Sequence, residues 1–490
     1  MKDSTNSQKV LKGISSQTFV TILLGGVELI SFSIMSRLLT KEDFGYYAAI
    51  TAITTVFASF SETGIGSAIV QQKNLTKQYV DNAFSLSLIF GLFISSLLFF
   101  LSGTFAHTVA DSSMKFPLQL MSVTLLMHCL TSISFSIMLR KLQFLRIGFI
   151  KLFSLVVTTL VAIGLALEGY GYYAIITKAV LSSVITYFLA LYYSKTRFSF
   201  ALEKKTCVKI FSFSGWLMAS VLFRNLASQV DKLLMPRLLS VVALGAYNRP
   251  KEFIEQISTK LNGIFDSALF PVLSNMQDDK HAMNLAFRKS MYFMNIFAMV
   301  MTLLLVFSSS LMIRIFFGEK WIELTPVMMM ISCTLLFNTD GRLADCYLRS
   351  LAMTKQQFFF RVFETILKLF GVLVSYRWGI IGVALSFVIT NSIVELIKIV
   401  YIGSKVDVTP WASIKIILSS WRFCIFVLPV SILSYYIIPN NLLGNLVSFS
   451  ILVVVLLCLF LVFPEGVGEQ YKQYGYAKAK NYLANKFRLM

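Results

Sequence analysis

Apolar runs long enough to cross a hydrocarbon core as a helix, roughly twenty residues each, recur from one end of the chain to the other. They centre near residues 25, 57, 94, 127, 158, 181, 224, 257, 299, 336, 367, 391, 426 and 454. This pattern predicts an all-α integral membrane protein of about fourteen transmembrane helices. Many of the runs contain Gly, Ser and β-branched residues, which lipid forces into helix anyway because unpaired backbone groups find no water there. The longest connections, near 195–208 and 273–285, are too short to fold alone.

Composition agrees. The 490 residues are 56% hydrophobic and 14% charged, with a mean hydropathy of +0.73, whereas a soluble chain is about a quarter charged. The formal net charge of +20 would suggest a nucleic-acid partner in a soluble protein. Here the basic residues gather on alternate connections: Lys2, Lys9, Lys12, Lys73, Lys77, Arg140, Lys141, Lys204, Lys205, Lys280, Lys355, Lys405 and the tail from Lys472 to Arg488 fall on one side. That asymmetry sets both termini in the cytoplasm and argues against nucleic acid. The six cysteines lack CxxC spacing and the three histidines are scattered, so no metal site is expected.

The chain also repeats itself. MSRLLTKEDFGYYA from Met35 is answered by MPRLLSVVALGAYN from Met235, pairing Arg37 with Arg237, Gly45 with Gly245 and Tyr47 with Tyr247 at an offset of 200. Leu139–Arg140 then answers Leu348–Arg349, and Gly171 answers Gly379. A six-helix unit returns the chain to its starting side, so its copy enters in the same direction. The two lobes are then parallel repeats about an axis along the membrane normal, with a substrate path between them. The expected divisions are residues 1–200 and 201–405 for the lobes, 406–465 for two additional helices and 466–490 for a basic cytoplasmic tail.

Polar stripes mark the faces that line such a path. Asn248, Glu252, Glu255, Thr259, Asn262 and Asp266 step by three and four along one helix; Ala48, Ala52, Thr55, Ser59, Glu62 and Gly66 repeat the steps in the first copy. Arg224, Ser228, Asp231, Lys232 and Met235 make a second stripe, answered by Glu28 and Ser31, and Asn338, Arg342, Asp345 and Arg349 a third. A charge at the middle of a lipid-facing helix costs about 2.5–3.5 kcal/mol. Arg224, Asp231, Lys232, Glu252, Glu255, Lys260 and Asp266 would together cost on the order of 20 kcal/mol, so they face one another or water. One reading is internal pairing, since Lys251–Glu255 and Arg342–Asp345 have helical ion-pair spacing. The other is a hydrated cavity whose cations hold an anionic substrate. On that reading Arg224, Lys232, Arg249, Lys260 and Arg342 are the cavity cations, and Glu62, Asp231, Glu252 and Glu255 tune them or bind a coupling cation.

SRLLTKEDFGYYA, followed by FSETGIGSAIVQQKNLTKQ, resembles the start of the Wzx-type oligosaccharide flippases of the polysaccharide transporter family. That family lies in the superfamily that includes the lipid II flippase and the multidrug and toxin extruders. The resemblance implies translocation of undecaprenyl-diphosphate-linked oligosaccharide repeat units from the cytoplasmic to the periplasmic leaflet of the bacterial inner membrane, by alternating access of a V-shaped cavity, for lipopolysaccharide, O-antigen or exopolysaccharide synthesis. It implies a transporter, not an enzyme, with the polysaccharide polymerase and assembly machinery as protein partners; a monomer without a cofactor is expected, and if transport is coupled, a carboxylate such as Asp231 or Glu255 exchanges H⁺ or Na⁺. Lipid II flippases have an Arg–Asp pair in their first helix, whereas here that helix offers Glu28. Three rivals remain. A multidrug–cation antiporter would be favoured if cavity carboxylates outnumbered cations; a membrane polymerase or ligase needs a sizeable outer loop; a structural scaffold has no use for a charged inter-lobe face.

Overall fold

The computed structural model describes residues 2–61, 65–72, 75–196, 198–419, 421–437 and 442–462; Glu62 and the basic tail lie outside them. Helices account for nearly all of what is described, and no strand occurs among the described residues. In chain order they are α1 (Lys2–Leu38), α2 (Lys41–Ser61), α3 (Ile65–Gln71), α4 (Lys77–Val109), α5 (Lys115–Arg140), α6 (Phe144–Leu167), α7 (Tyr172–Ser194), α8 (Lys204–Leu238) and α9 (Val241–Asn275). Then follow α10 (Lys280–Phe307), α11 (Ser309–Phe316), α12 (Thr325–Ser332), α13 (Thr334–Ser350), α14 (Thr354–Ser375), α15 (Gly379–Lys405), α16 (Pro410–Ser419), α17 (Arg422–Ile437) and α18 (Leu442–Val462). Every expected apolar centre falls inside one of these helices. Among the described residues eight stretches are long and apolar enough to span a membrane, and one of them, Lys355–Lys405, is 51 residues long and contains both α14 and α15. The chain is a multi-pass membrane protein.

Helix starts obey local chemistry. Thr76 caps α4 by accepting the Tyr79 backbone N–H at 3.2 Å, and Asp279 caps α10 through the Ala282 N–H at 3.0 Å, each satisfying one of the first-turn donors a helix leaves open. Asp111, between α4 and α5, accepts the Ser113 N–H at 2.8 Å and the Tyr46 hydroxyl at 2.7 Å. Burial pushes its carboxyl up, but those hydrogen bonds outweigh burial and hold it below the ordinary carboxylate range.

The chain packs into two compact units. One comprises Met1–Pro250, Ile315–Leu324 and Arg361–Ser386, the other Lys251–Arg314, Thr325–Phe360 and Phe387–Met490. In the first, α4 lies along α5, α1 along α6, α5 and α6 along α7, and α8 against α2 and α4. The last carbonyls of α1, unsatisfied within the helix, are taken up by the short 3₁₀ segment Glu319–Leu324. Trp321 Nε1 donates to Ser36 O at 2.9 Å, and Lys320 Nζ to Arg37 O and Leu39 O at 2.9 and 2.7 Å. In the second, α10 packs on α12, α13 and α16 around Phe287, Met291, Tyr347, Ile402 and Val406.

The duplication is written into the backbone. Leu142 and Ala352 both take φ 55°, Lys195 and Asp407 take φ 52° and 57°, and Gly171 and Gly379 take φ 55° and 68°. Each pair occupies the corresponding turn of the two repeats. After α5 the Gln143 N–H reaches Met138 O and the Leu142 N–H Leu139 O; after α13 the Met353 N–H reaches Leu348 O and the Ala352 N–H Arg349 O. These are the same helix-ending hydrogen bonds, a left-handed cap built twice. The opening repeat has its own reason. A Cβ at Gly45 would lie 1.9 Å from the Val241 carbonyl oxygen, and one at Gly245 would lie 1.8 Å from that of Lys41. The first turns of α2 and α9 therefore cross backbone to backbone, and each repeat supplies the glycine that admits the other.

Candidate functional site

In the first unit the charges gather on α1, α7, α8 and α9. Arg249, 5% exposed, lies over the rings of Phe32 at 3.4 Å and Phe44 at 4.0 Å. Its Nε and Nη2 donate to the Ser36 hydroxyl at 3.0 and 2.8 Å, and Nη2 also donates to Phe32 O at 2.8 Å. The guanidinium thus ties the start of α9 to α1 in a dry aromatic slot, where a planar cation is favoured. On α8, Asp231 and Lys232 are both buried, Lys232 to 7% exposure, while Arg224, a turn or two earlier, is exposed. Lys232 makes no hydrogen bond or ion pair among the described residues. Arg224 and Asp231 each take part in an interaction.

The second unit holds the remaining candidates. Lys251 is almost wholly buried, pairs with Glu255 at 3.8 Å as the spacing suggested, and lies 4.2 Å from the Phe387 ring centre. Glu252 and Lys260 are partly buried and engaged. The second spacing does not produce a pair: Asp345 turns to Lys398 of α15, 3.3 Å away, leaving Arg342 partly exposed and without a partner among the described residues. The reason is burial. Lys398 is 1% exposed, and an ammonium that deep needs counter-charge more than a partly hydrated guanidinium does.

Sequence reasoning missed the group around Lys398. Its ammonium also meets Glu395 at 2.8 Å, and the Glu395 carboxyl presses on Gly341 so closely that a Cβ there would stand 2.1 Å from it. Beside it on α13, Asp340 is 1% exposed; its Oδ2 accepts from Asn295 at 2.5 Å, and its Oδ1 has no hydrogen-bond partner among the described residues. In the first unit Arg361, Glu364 and Lys368 form a second missed cluster on one face of α14, with contacts of 2.7 and 2.6 Å to the shared carboxylate. Lys178, on α7, is a third omission. The usable signal was the same each time: an ionisable residue inside an otherwise apolar span.

Buried clusters of both signs at membrane depth suit a transporter that must host polar cargo. Residues 34–326 match the family described as polysaccharide biosynthesis protein. The chain is 23% identical over 437 residues to the lipopolysaccharide biosynthesis protein WzxC of Escherichia coli (strain K12), covering 87% of each chain. It is 21% identical to the succinoglycan biosynthesis transport protein ExoT of Rhizobium meliloti (strain 1021), covering 71% of this chain and 69% of that one. Its fold is similar to that of the lipid II flippase MurJ in an inward closed conformation, with a TM-score of 0.72 at 16% identity over 92% of this chain and 99% of that one. With more than half of its length matched to the family, the chain belongs to the polysaccharide biosynthesis protein family.

Proposed function

We propose that this protein is a flippase that carries undecaprenyl-diphosphate-linked oligosaccharide repeat units from the cytoplasmic to the periplasmic leaflet for cell-surface polysaccharide synthesis. The observation that carries the reading is likeness to WzxC along 87% of both chains, in a protein whose helices bury cations such as Lys232. A lipid diphosphate brings its own negative charge into the hydrocarbon region, and charge-assisted hydrogen bonds to its oxygens are strong where water is scarce. Lys232 and Arg342 are the sequence-derived cations best placed for that task, because neither is engaged by a neighbour among the described residues. Arg224 and Lys260 are further cations for that task in this reading, whereas Arg249 is engaged by α1.

The two sequence repeats act as the moving lobes, both termini are cytoplasmic, and the membrane is the bacterial inner membrane. Transport makes and breaks no covalent bond; the polymerase and assembly machinery receive the cargo on the far side. Coupling runs through a proton or Na⁺. Asp231, Glu252 and Glu255 remain candidates, and Asp345 and Glu395, buried carboxyls that both meet the ammonium of Lys398, join them.

The test is the sidedness of lipid-linked repeat units in cells depleted of the protein, read with a periplasmic glycan-binding probe. Repeats that accumulate but stay inaccessible from outside are expected. Repeats that reach the outer leaflet and remain unpolymerised would refute the reading in favour of a later-acting protein.

A further inference from the structure

Along the whole of α7, Lys178 is the one charged residue. Its ammonium is partly buried and donates to the Ser31 hydroxyl of α1. Thr159 of α6 donates to the same oxygen at 3.2 Å. Ser31 is seven residues from the Leu38 end of α1, about 10 Å along the axis, and Lys178 six residues from the Tyr172 end of α7, about 9 Å. The ammonium has therefore not snorkelled toward the membrane surface, as a lysine without business at that depth would.

The inventory of donors and acceptors is one-sided. Ser31 uses both hydroxyl lone pairs to accept, from Lys178 and from Thr159, which leaves its O–H as a donor. Lys178 has three N–H groups and, among the described residues, one protein acceptor. No carboxylate lies within ion-pairing distance of it among the described residues; Glu28 and Arg249 are the charges that act on it from farther away. An ammonium with N–H groups to spare, beside a hydroxyl whose O–H is left to donate, forms an environment that an oxyanion completes and a cation or a neutral acceptor-free group does not.

We propose that Lys178 and Ser31 form a phosphate-binding subsite for the diphosphate of the lipid-linked substrate, a step that rests on the flippase reading above. The positive charge that the middle of α1 lacks in its own sequence is delivered to it by α7. Ser31 aims the site and Thr159 fixes Ser31.

Purified protein in nanodiscs would be titrated with undecaprenyl diphosphate and, separately, with inorganic pyrophosphate, reading the shift in thermal unfolding midpoint. Lys178→Gln keeps a donor for Ser31 and removes the charge; Lys178→Arg keeps the charge. At least a tenfold loss of apparent affinity is expected in Lys178→Gln, with binding retained in Lys178→Arg. A response to pyrophosphate as well as to the lipid assigns the contact to the diphosphate alone; a response to the lipid alone assigns it to the diphosphate on its lipid tail. Lipid binding that is equal in wild type and Lys178→Gln overturns the subsite and leaves the flippase reading standing. Lipid binding absent from the wild type itself overturns both. Should Lys178→Gln not fold, Ser31→Ala carries the same test, with a weaker loss expected and unchanged binding overturning the subsite.

Discussion

Alanine at Gly45 or Gly245 asks whether the crossing of α2 and α9 depends on backbone contact. In an unobstructed helix interior, Gly→Ala stabilises by roughly 1 kcal/mol, because alanine loses less conformational freedom on folding. At these two positions the new methyl would stand 1.9 Å from the Val241 oxygen and 1.8 Å from the Lys41 oxygen, where ordinary contact begins at 3.4 Å. Both obstacles are backbone, so no side chain can turn aside, and the helices must part by about 1.5 Å. Overpacking of this kind costs about 1–3 kcal/mol, and a shortfall against backbone belongs at the upper end. The net expectation is destabilisation by about 2 kcal/mol for either single variant. Gly26 and Gly164, where a Cβ would meet nothing within 4 Å, serve as controls in which alanine is neutral or stabilising. Thermal unfolding of the purified protein in one detergent reads all four. Because both methyls open the same crossing, the double variant should cost less than the two singles together. Stabilisation of Gly45→Ala and Gly245→Ala to the level of the controls, or strict additivity, would refute the argument.

Two further substitutions test the charged sites. Lys398→Ala leaves Asp345 and Glu395 without the ammonium that each meets. Losing one partner of a buried pair costs about 3–5 kcal/mol, so monodisperse protein should fall sharply on size-exclusion chromatography, with recovery in Lys398→Ala/Asp345→Asn/Glu395→Gln. Arg249→Lys keeps the charge but cannot fill the slot between Phe32 and Phe44 or donate twice to Ser36. Its melting temperature should drop nearly as far as that of Arg249→Ala, and a lysine variant indistinguishable from wild type would show that charge alone suffices there.

Much of the fold was legible because lipid leaves few choices. The apolar centres all became helix, and the two copies of the repeat proved to share left-handed residues at corresponding turns, Leu142 with Ala352 and Lys195 with Asp407. What the repeat did not reveal is why its glycines recur, since a close approach between residues 45 and 241 is invisible in either stretch alone. Charge pairing was legible only within one helix. Lys251 and Glu255 pair as their spacing allows, but spacing permits a contact without requiring it, and Asp345 pairs instead with a residue more than fifty positions away.

That difference sorts the buried charges in a way no stripe along a helix could. A stripe reports only that a face is polar; the partners decide what the face is for. Lys398 with Asp345 and Glu395 joins α13 to α15, and Glu364 with Arg361 and Lys368 balances charge along α14, all at 3.3 Å or less. Arg249 is likewise fully engaged with α1 and two rings. Lys178 and Arg342, inside stretches long and apolar enough to span a membrane, and Lys232, buried on α8, are different: none has a carboxylate in ion-pairing reach among the described residues. A cation kept at that depth without a protein counter-charge has a cost that folding does not offset. On the proposed function it is offset when an anion arrives from outside the protein, and the diphosphate of the proposed substrate is such an anion.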